Sequence, residues 1–255
     1  AASDGDRIFI SPGSYVEDLT LTKSIELHCQ EEGQNYNVTG NLVIPTGTLN
    51  KTITIIGLRL TGAVTSAETS TSACQLNILS SKITGQLNVK RNALLVNDSL
   101  SRTTVAANVM IIGCTIFSFT PNLIIEHLEP DAGECLIIGN KLRFSGSAPG
   151  VIRCDAGEGH EIRNNEIVYA GGNFSINLIE VMGSVGTTLD TILIVNNNLD
   201  SDGDIYPPIV KTSTAPTRVE ARNNWKLAST GTIVSAGIES FFNIQGFNGV
   251  QIDAG

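Results

Sequence analysis

One short turn recurs along the chain and limits what it can become. In Ile111-Ile112-Gly113-Cys114-Thr115-Ile116 an apolar strand meets a Gly and a small residue, then turns into a second apolar strand. Ile137-Ile138-Gly139-Asn140-Lys141-Leu142 repeats this almost residue for residue. Ile162-Arg163-Asn164-Asn165-Glu166-Ile167 and Ile194-Val195-Asn196-Asn197-Asn198-Leu199 put Asn in place of Gly. Earlier copies run through Gly57-Leu58 and Ser80-Ser81, and a last, imperfect one through Asn223-Asn224-Trp225. With the residue after the first turn residue as marker, the copies fall at 58, 81, 114, 140, 165, 197 and 224. The gaps are 23, 33, 26, 25, 32 and 27 residues, and a faint copy at Val96-Asn97-Asp98-Ser99-Leu100 splits the longest into 17 and 16.

Self-similarity on this scale belongs to stacked repeats, because one unit cannot bury its apolar face alone. The flanks alternate Ile, Val and Leu with period 2, so each unit is built of strands. Gly and Asn tolerate the left-handed backbone that a sharp strand-to-strand bend needs. Constant turns at variable spacing mean that one corner is fixed while the other connections vary. The expectation is an all-β, single-stranded, right-handed parallel β-helix of about 8–10 coils, forming one domain over 1–255. Gly57, Gly113, Gly139, Asn140, Asn164, Asn165, Asn196, Asn197, Asn223 and Asn224 form its structural turn ladder. Stacked Asn side chains there can bond one another and the backbone, which explains them without a ligand.

Composition agrees. Of 255 residues 41% are apolar but only 5% aromatic, so the core is aliphatic and thin. The net charge of −9 and the absence of a basic cluster argue against nucleic acid and against an anionic membrane surface. No run of 18 apolar residues occurs. The five cysteines form no CxxC and do not pair with His28, His127 or His160 at zinc-like spacing. They read as small buried hydrophobes, and with the polar Ala1–Asp6 start they point to synthesis in a reducing cytosol.

The opening stretch holds three short strands, 7–10, 18–21 and 24–28, separated by Ser-Pro-Gly and Thr-Lys-Ser steps. Gly5-Asp6, Ile8, Ile10, Pro12-Gly13, Tyr15, Glu17, Leu19, Leu21, Lys23, Ile25 and Leu27 resemble the first coils of the pectin-lyase-like superfamily, including pectin methylesterases and periplasmic copper-site maturation proteins. The resemblance implies the right-handed parallel β-helix and says little about activity.

The catalytic sets of that superfamily are not found. There is no Asp-Asp dipeptide, no paired aspartates beside an Arg-Pro turn, and no methylesterase-like Asp pair. Gly159-His160-Glu161 echoes one polygalacturonase element, which leaves Asp155, Glu158 and His160 as the catalytic candidates; with no complete catalytic motif the enzyme question stays open and leans toward no. Asp200, Asp202 and Asp204 alternate around Gly203 like a Ca²⁺ loop but lack the EF-hand Gly and Glu positions, so no cofactor is expected and Ca²⁺ is the alternative. Trp225, Tyr169 and Tyr206 are the aromatic candidates for stacking on a sugar.

A coil exposes unpaired strands at each end, and the short stretches before Arg7 and after Ile252 leave little to cover them. The expectation is therefore a phage or virus structural protein at the virion surface, such as a tailspike, fibre or capsid-surface component. Its partners would be further copies, with a trimer favoured, other virion proteins, or a host glycan. The alternatives are a polysaccharide lyase or glycoside hydrolase of this superfamily and an extracellular adhesin module.

Overall fold

The computed structural model of the chain describes residues 2–29, 36–46, 48, 50–66, 75–105, 109–118, 125–127, 134–145, 150–155, 159–170, 177–182, 191–201, 208–212, 218–226, 234–246 and 250–254. The first strand, Asp6–Ile10, pairs in parallel with Ile25–Cys29, which pairs in turn with Thr52–Ile56. That succession continues to Glu239–Gly246 and defines a first face. A second face runs from Gly13–Val16 to Trp225–Lys226, and a third, nine-stranded sheet from Leu19–Thr20 to Ile209–Lys211. Every pairing among these strands is parallel, and no described residue is helical. The chain is a parallel β-helix. Counting from the amino end, coil 1 opens at Asp6, coil 6 at Val109 and coil 10 at Arg218, each adding about 4.8 Å along the axis.

Alternation along each strand sends one set of side chains into the bore. Ile53 and Ile55, Leu76 and Ile78, and Ile192 and Ile194 are inward pairs on coils 3, 4 and 9 of the first face, all essentially without solvent contact. Leu42, Val64 and Leu87 do the same on the third face. One continuous aliphatic core results, as expected of a solenoid whose units contact only their neighbours.

Two ends differ. At the first coil a cavity of about 480 Å³ lined by Ile8, Ile10, Tyr15, Leu19 and Leu21 opens to solvent. At the other end Glu239–Gly246 pairs with both the first and second faces, joining them into one sheet. Val250–Ala254 then folds back on it antiparallel.

The fixed corner joins the first face to the second. Its first residue has a left-handed backbone at Gly57, Ser80, Asn97, Gly113, Gly139, Asn164, Asn196 and Asn223. The copy at Asn97-Asp98 is thus a complete turn, and only 17 residues separate Leu76 from its partner Ala93. The second corner residue points inward and is buried from Leu58 through Asn224.

Four of those inward residues, Asn140, Asn165, Asn197 and Asn224, form an amide ladder with Asn243. The Asn165 amide N–H donates to Asn197 Oδ1 at 3.1 Å, and its Nδ2 donates to the same oxygen at 2.9 Å and to the Ile137 carbonyl at 2.9 Å. The same three bonds are made by Asn140, Asn197 and Asn224, and the ladder ends on Asn243. Each rung satisfies groups that a buried bend would leave orphaned. Toward the amino end the same column holds Ser81, Asp98 and Cys114, where Asp98 Oδ1 accepts the Ser81 amide at 2.7 Å.

Candidate interaction surface

The side chains that alternate outward on the first face are apolar over the middle of the molecule. Ile56, Leu79, Val96, Ile112 and Ile138 stack as one outward column, in register from coil 3 to coil 7. Leu94, Met110 and Leu136 continue a second column beside it. All are partly or fully exposed. A groove of about 320 Å³ runs along the upstream edge of these columns between Gln75, Asn92, Met110 and Glu134. Aliphatic columns inside a β-helix are the core, but here the same residue types line the outside as well.

Charges frame this stripe at both ends, and they neutralise one another. Near coil 1, Arg7 Nε meets Glu26 Oε2 at 2.6 Å, and His28 Nε2 lies 3.0 Å from the same oxygen. Arg7 and His28 together hold the Glu26 carboxyl below its ordinary range. Farther up, Arg163 pairs with Glu161 at 3.3 Å, Arg218 with Glu239, and Arg222 with Glu220.

The outer second face is different. Arg59 and Lys82 are in register, as are Phe117 and Arg143, and Lys141 stands 3.8 Å from Glu166. The exposed large hydrophobic side chains among the described residues fall on these two faces: Phe9 (51%) and Met110 (38%) on the first, Val16 (84%), Phe117 (38%) and Trp225 (42%) on the second.

The third face carries an alternating ion ladder. Arg102 Nη2 donates to Glu126 at 3.0 Å, Arg153 reaches Glu126 at 3.8 Å and Glu180 at 3.0 Å, and Thr212 donates to Glu180 at 3.3 Å. Both carboxylates are committed to arginine.

Net charge is distributed unevenly. The strands hold 11 of the 25 acidic residues and 11 of the 16 Lys and Arg, so the rest of the sequence carries 14 acids against 5 bases.

Among the described residues the candidate site residues His160, Tyr169, Asp200 and Trp225 are not brought together. His160 is buried, with Nδ1 accepting the Cys135 amide at 3.1 Å, so its ring is part of the interior hydrogen bonding rather than a surface acid or base. Asp155 ends a third-face strand with its side chain outside the described residues, and Glu158 lies outside them altogether. Tyr169 is a core residue, stacked on Phe144 with ring centroids 5.6 Å apart. It therefore cannot share a sugar platform with exposed Trp225, because inward and outward side chains of one face never meet. Tyr206, Asp202 and Asp204 lie outside the described residues, and Asp200 is part-exposed in register with Val168. Among the described residues no cluster of three metal-ligating side chains occurs. The thiols of Cys114 and Cys135 are pushed up to about 12 by burial, as expected of small hydrophobes.

No known protein family, curated protein or solved structure matches the chain. What the residues themselves bring together is the outer first face. The signal for it was present in the sequence: the doublets Ile55-Ile56, Ile78-Leu79, Ile111-Ile112 and Ile137-Ile138 each place one aliphatic inside and the next outside.

Proposed function

We propose that the chain is a structural protein of a phage or virus particle, a tailspike, fibre or capsid-surface component, whose β-helix works by assembling with other chains. The carrying observation is the uncharged apolar stripe on the outer first face, from Ile56 to Ile138. A contiguous apolar surface of this kind is unusual on a chain that works alone and marks contact with another protein. The amide ladder and continuous core supply a stiff rod that can present such a contact. The basic, aromatic second face around Arg143, Phe117 and Trp225 supports attachment to a host glycan as an accompanying role.

The test is co-fractionation. Particles from the source culture are separated on a density gradient and probed with antibody to the purified chain, while the chain is assayed on acidic and neutral polysaccharides. Sedimentation with particles and no polysaccharide turnover are expected. Confinement to the soluble fraction, or release of oligosaccharide, would overturn the proposal in favour of a lyase or hydrolase.

A further inference from the structure

The geometry points to a closed ring of copies of this chain, the fixed corner facing the axis and the first face of each copy packed on the second face of the next. This inference rests on the assembly reading above and names the partner. When identical rods surround an axis parallel to their own, equal heights meet, so each coil's first face confronts the same coil's second face. Contacts that repeat head-to-tail around an axis close into rings.

The outward apolar residues match at coils 1 and 6, while at coils 3 and 4 Ile56 and Leu79 would lie on Arg59 and Lys82, whose aliphatic stems can cover them. Coil 1 presents Phe9 on its first face and Val16 on its second, and coil 6 presents Met110 on its first and Phe117 on its second. These four are the most exposed large hydrophobics among the described residues apart from Trp225. Trp225 stands on the second face of coil 10, whose first face offers Arg222, a cation suited to an indole face. Some opposite charges would also face one another: Glu134, beside the first face of coil 7, would confront Lys141 and Arg143, and Arg163 in coil 8, which pairs with Glu161 in the single chain, would confront Glu166, which pairs there with Lys141.

The corner at the axis fits that position. From Gly57 to Asn223 its left-handed residues are Gly, Ser or Asn, and the only ionisable carboxyl in its second column, Asp98, points into the core. Area suffices too. Eleven strands of about five residues give the first face roughly 800 Å², close to what each partner contributes to a stable interface.

The experiment uses Met110→Cys and Phe117→Cys, separately and combined, with copper-phenanthroline as oxidant and the wild type as control for the native thiols. Both positions are exposed, and circular dichroism checks that the fold is kept. The doubly substituted chain is expected to give a covalent ladder on a denaturing gel that stops at the ring size, three or four. Neither single variant should cross-link, although mixing the two should yield a dimer. Light scattering of wild type should give the same multiple of 27.0 kDa.

A dimer from Met110→Cys alone would mean that like faces meet, and would overturn the ring. So would a single-chain mass with no cross-linking. If that chain still sedimented with particles, the assembly reading would stand with a different partner. If it did not, both would fall.

Discussion

Asp98 is the residue at which the interior ladder breaks its own rule. Where the later coils place a neutral amide, it places a carboxyl that is almost wholly buried, with Oδ2 lacking a hydrogen-bond partner. Burial pushes its pKa up to about 7, against which the Ser81 and Val96 backbone contacts act weakly. The column neighbours Ser81 and Cys114 carry no charge to hold the carboxylate. An acid whose folded pKa lies above its unfolded value keeps a proton that the unfolded chain releases. Its effect on stability is absent below the unfolded pKa near 3.8, grows as pH rises and is complete above about 7. Across that window wild type should lose roughly 1.4 kcal/mol per pH unit relative to Asp98→Asn. Urea melts of the two chains at pH 4, 6 and 8 test this; parallel curves would show that Asp98 ionises freely. Asn197 gives the complementary case. Its Oδ1 accepts two N–H groups and its Nδ2 donates to two oxygens. Asn197→Ala should lower unfolding free energy by roughly 2–4 kcal/mol, read from the shift in urea midpoint.

At the scale of the element, the corners divide into those that pattern reveals and those that contact dictates. The Gly/Asn corner was legible because a left-handed residue followed by an inward polar one leaves a dipeptide signature, and even the faint copy at Asn97-Asp98 is a full turn. The corner between the second and third faces was not read, although Thr39-Gly40, Thr61-Gly62 and Thr84-Gly85 announce it. There a Cβ on Gly62 would fall 1.9 Å from the Gly40 carbonyl oxygen, and one on Gly85 2.1 Å from that of Gly62. The requirement is set by the coil below, so a single Thr-Gly copy taken alone does not display it. Gly62→Ala should destabilise by about 3 kcal/mol or more, seen as loss of the cooperative melt or of soluble expression; a wild-type melt would show that the coils can separate at little expense. Two of the candidates, His160 and Tyr169, prove to be interior residues for a related reason. Tyr169 and His160 were judged by residue type, whereas their side of the strand decides what they can touch, and the period-2 count already put Tyr169 in phase with inward Ile167.

At the scale of the whole molecule, the three faces are parts with separate properties on a single core. The third is closed by its ion ladder, the second is basic and aromatic, and the first is apolar. Because all of them rest on the same amide-ladder rod, a substitution on one outer face should leave the others in place. Met110→Lys is expected to leave the melting midpoint within about 0.5 kcal/mol of wild type, as surface changes usually do, while altering the solution mass. A change in mass accompanied by loss of fold would mean that the face belongs to the core after all.

The segregation of charge has a further consequence. The strands are neutral in sum, with 11 acids against 11 bases, and the sequence outside them holds the net charge of −9, with 14 acids against 5 bases. In the language of colloids the proposed ring makes the chain a patchy particle, sticky along the stripes of two faces and repulsive through its acidic segments outside the strands. Such particles form small closed clusters rather than gels, since a cluster whose patches are satisfied shows its neighbours only the repulsive rim. That rim acts over about 10 Å at 0.1 M salt and about 3 Å at 1 M. Clusters that stay discrete in dilute buffer should therefore begin to bundle side by side as salt is raised.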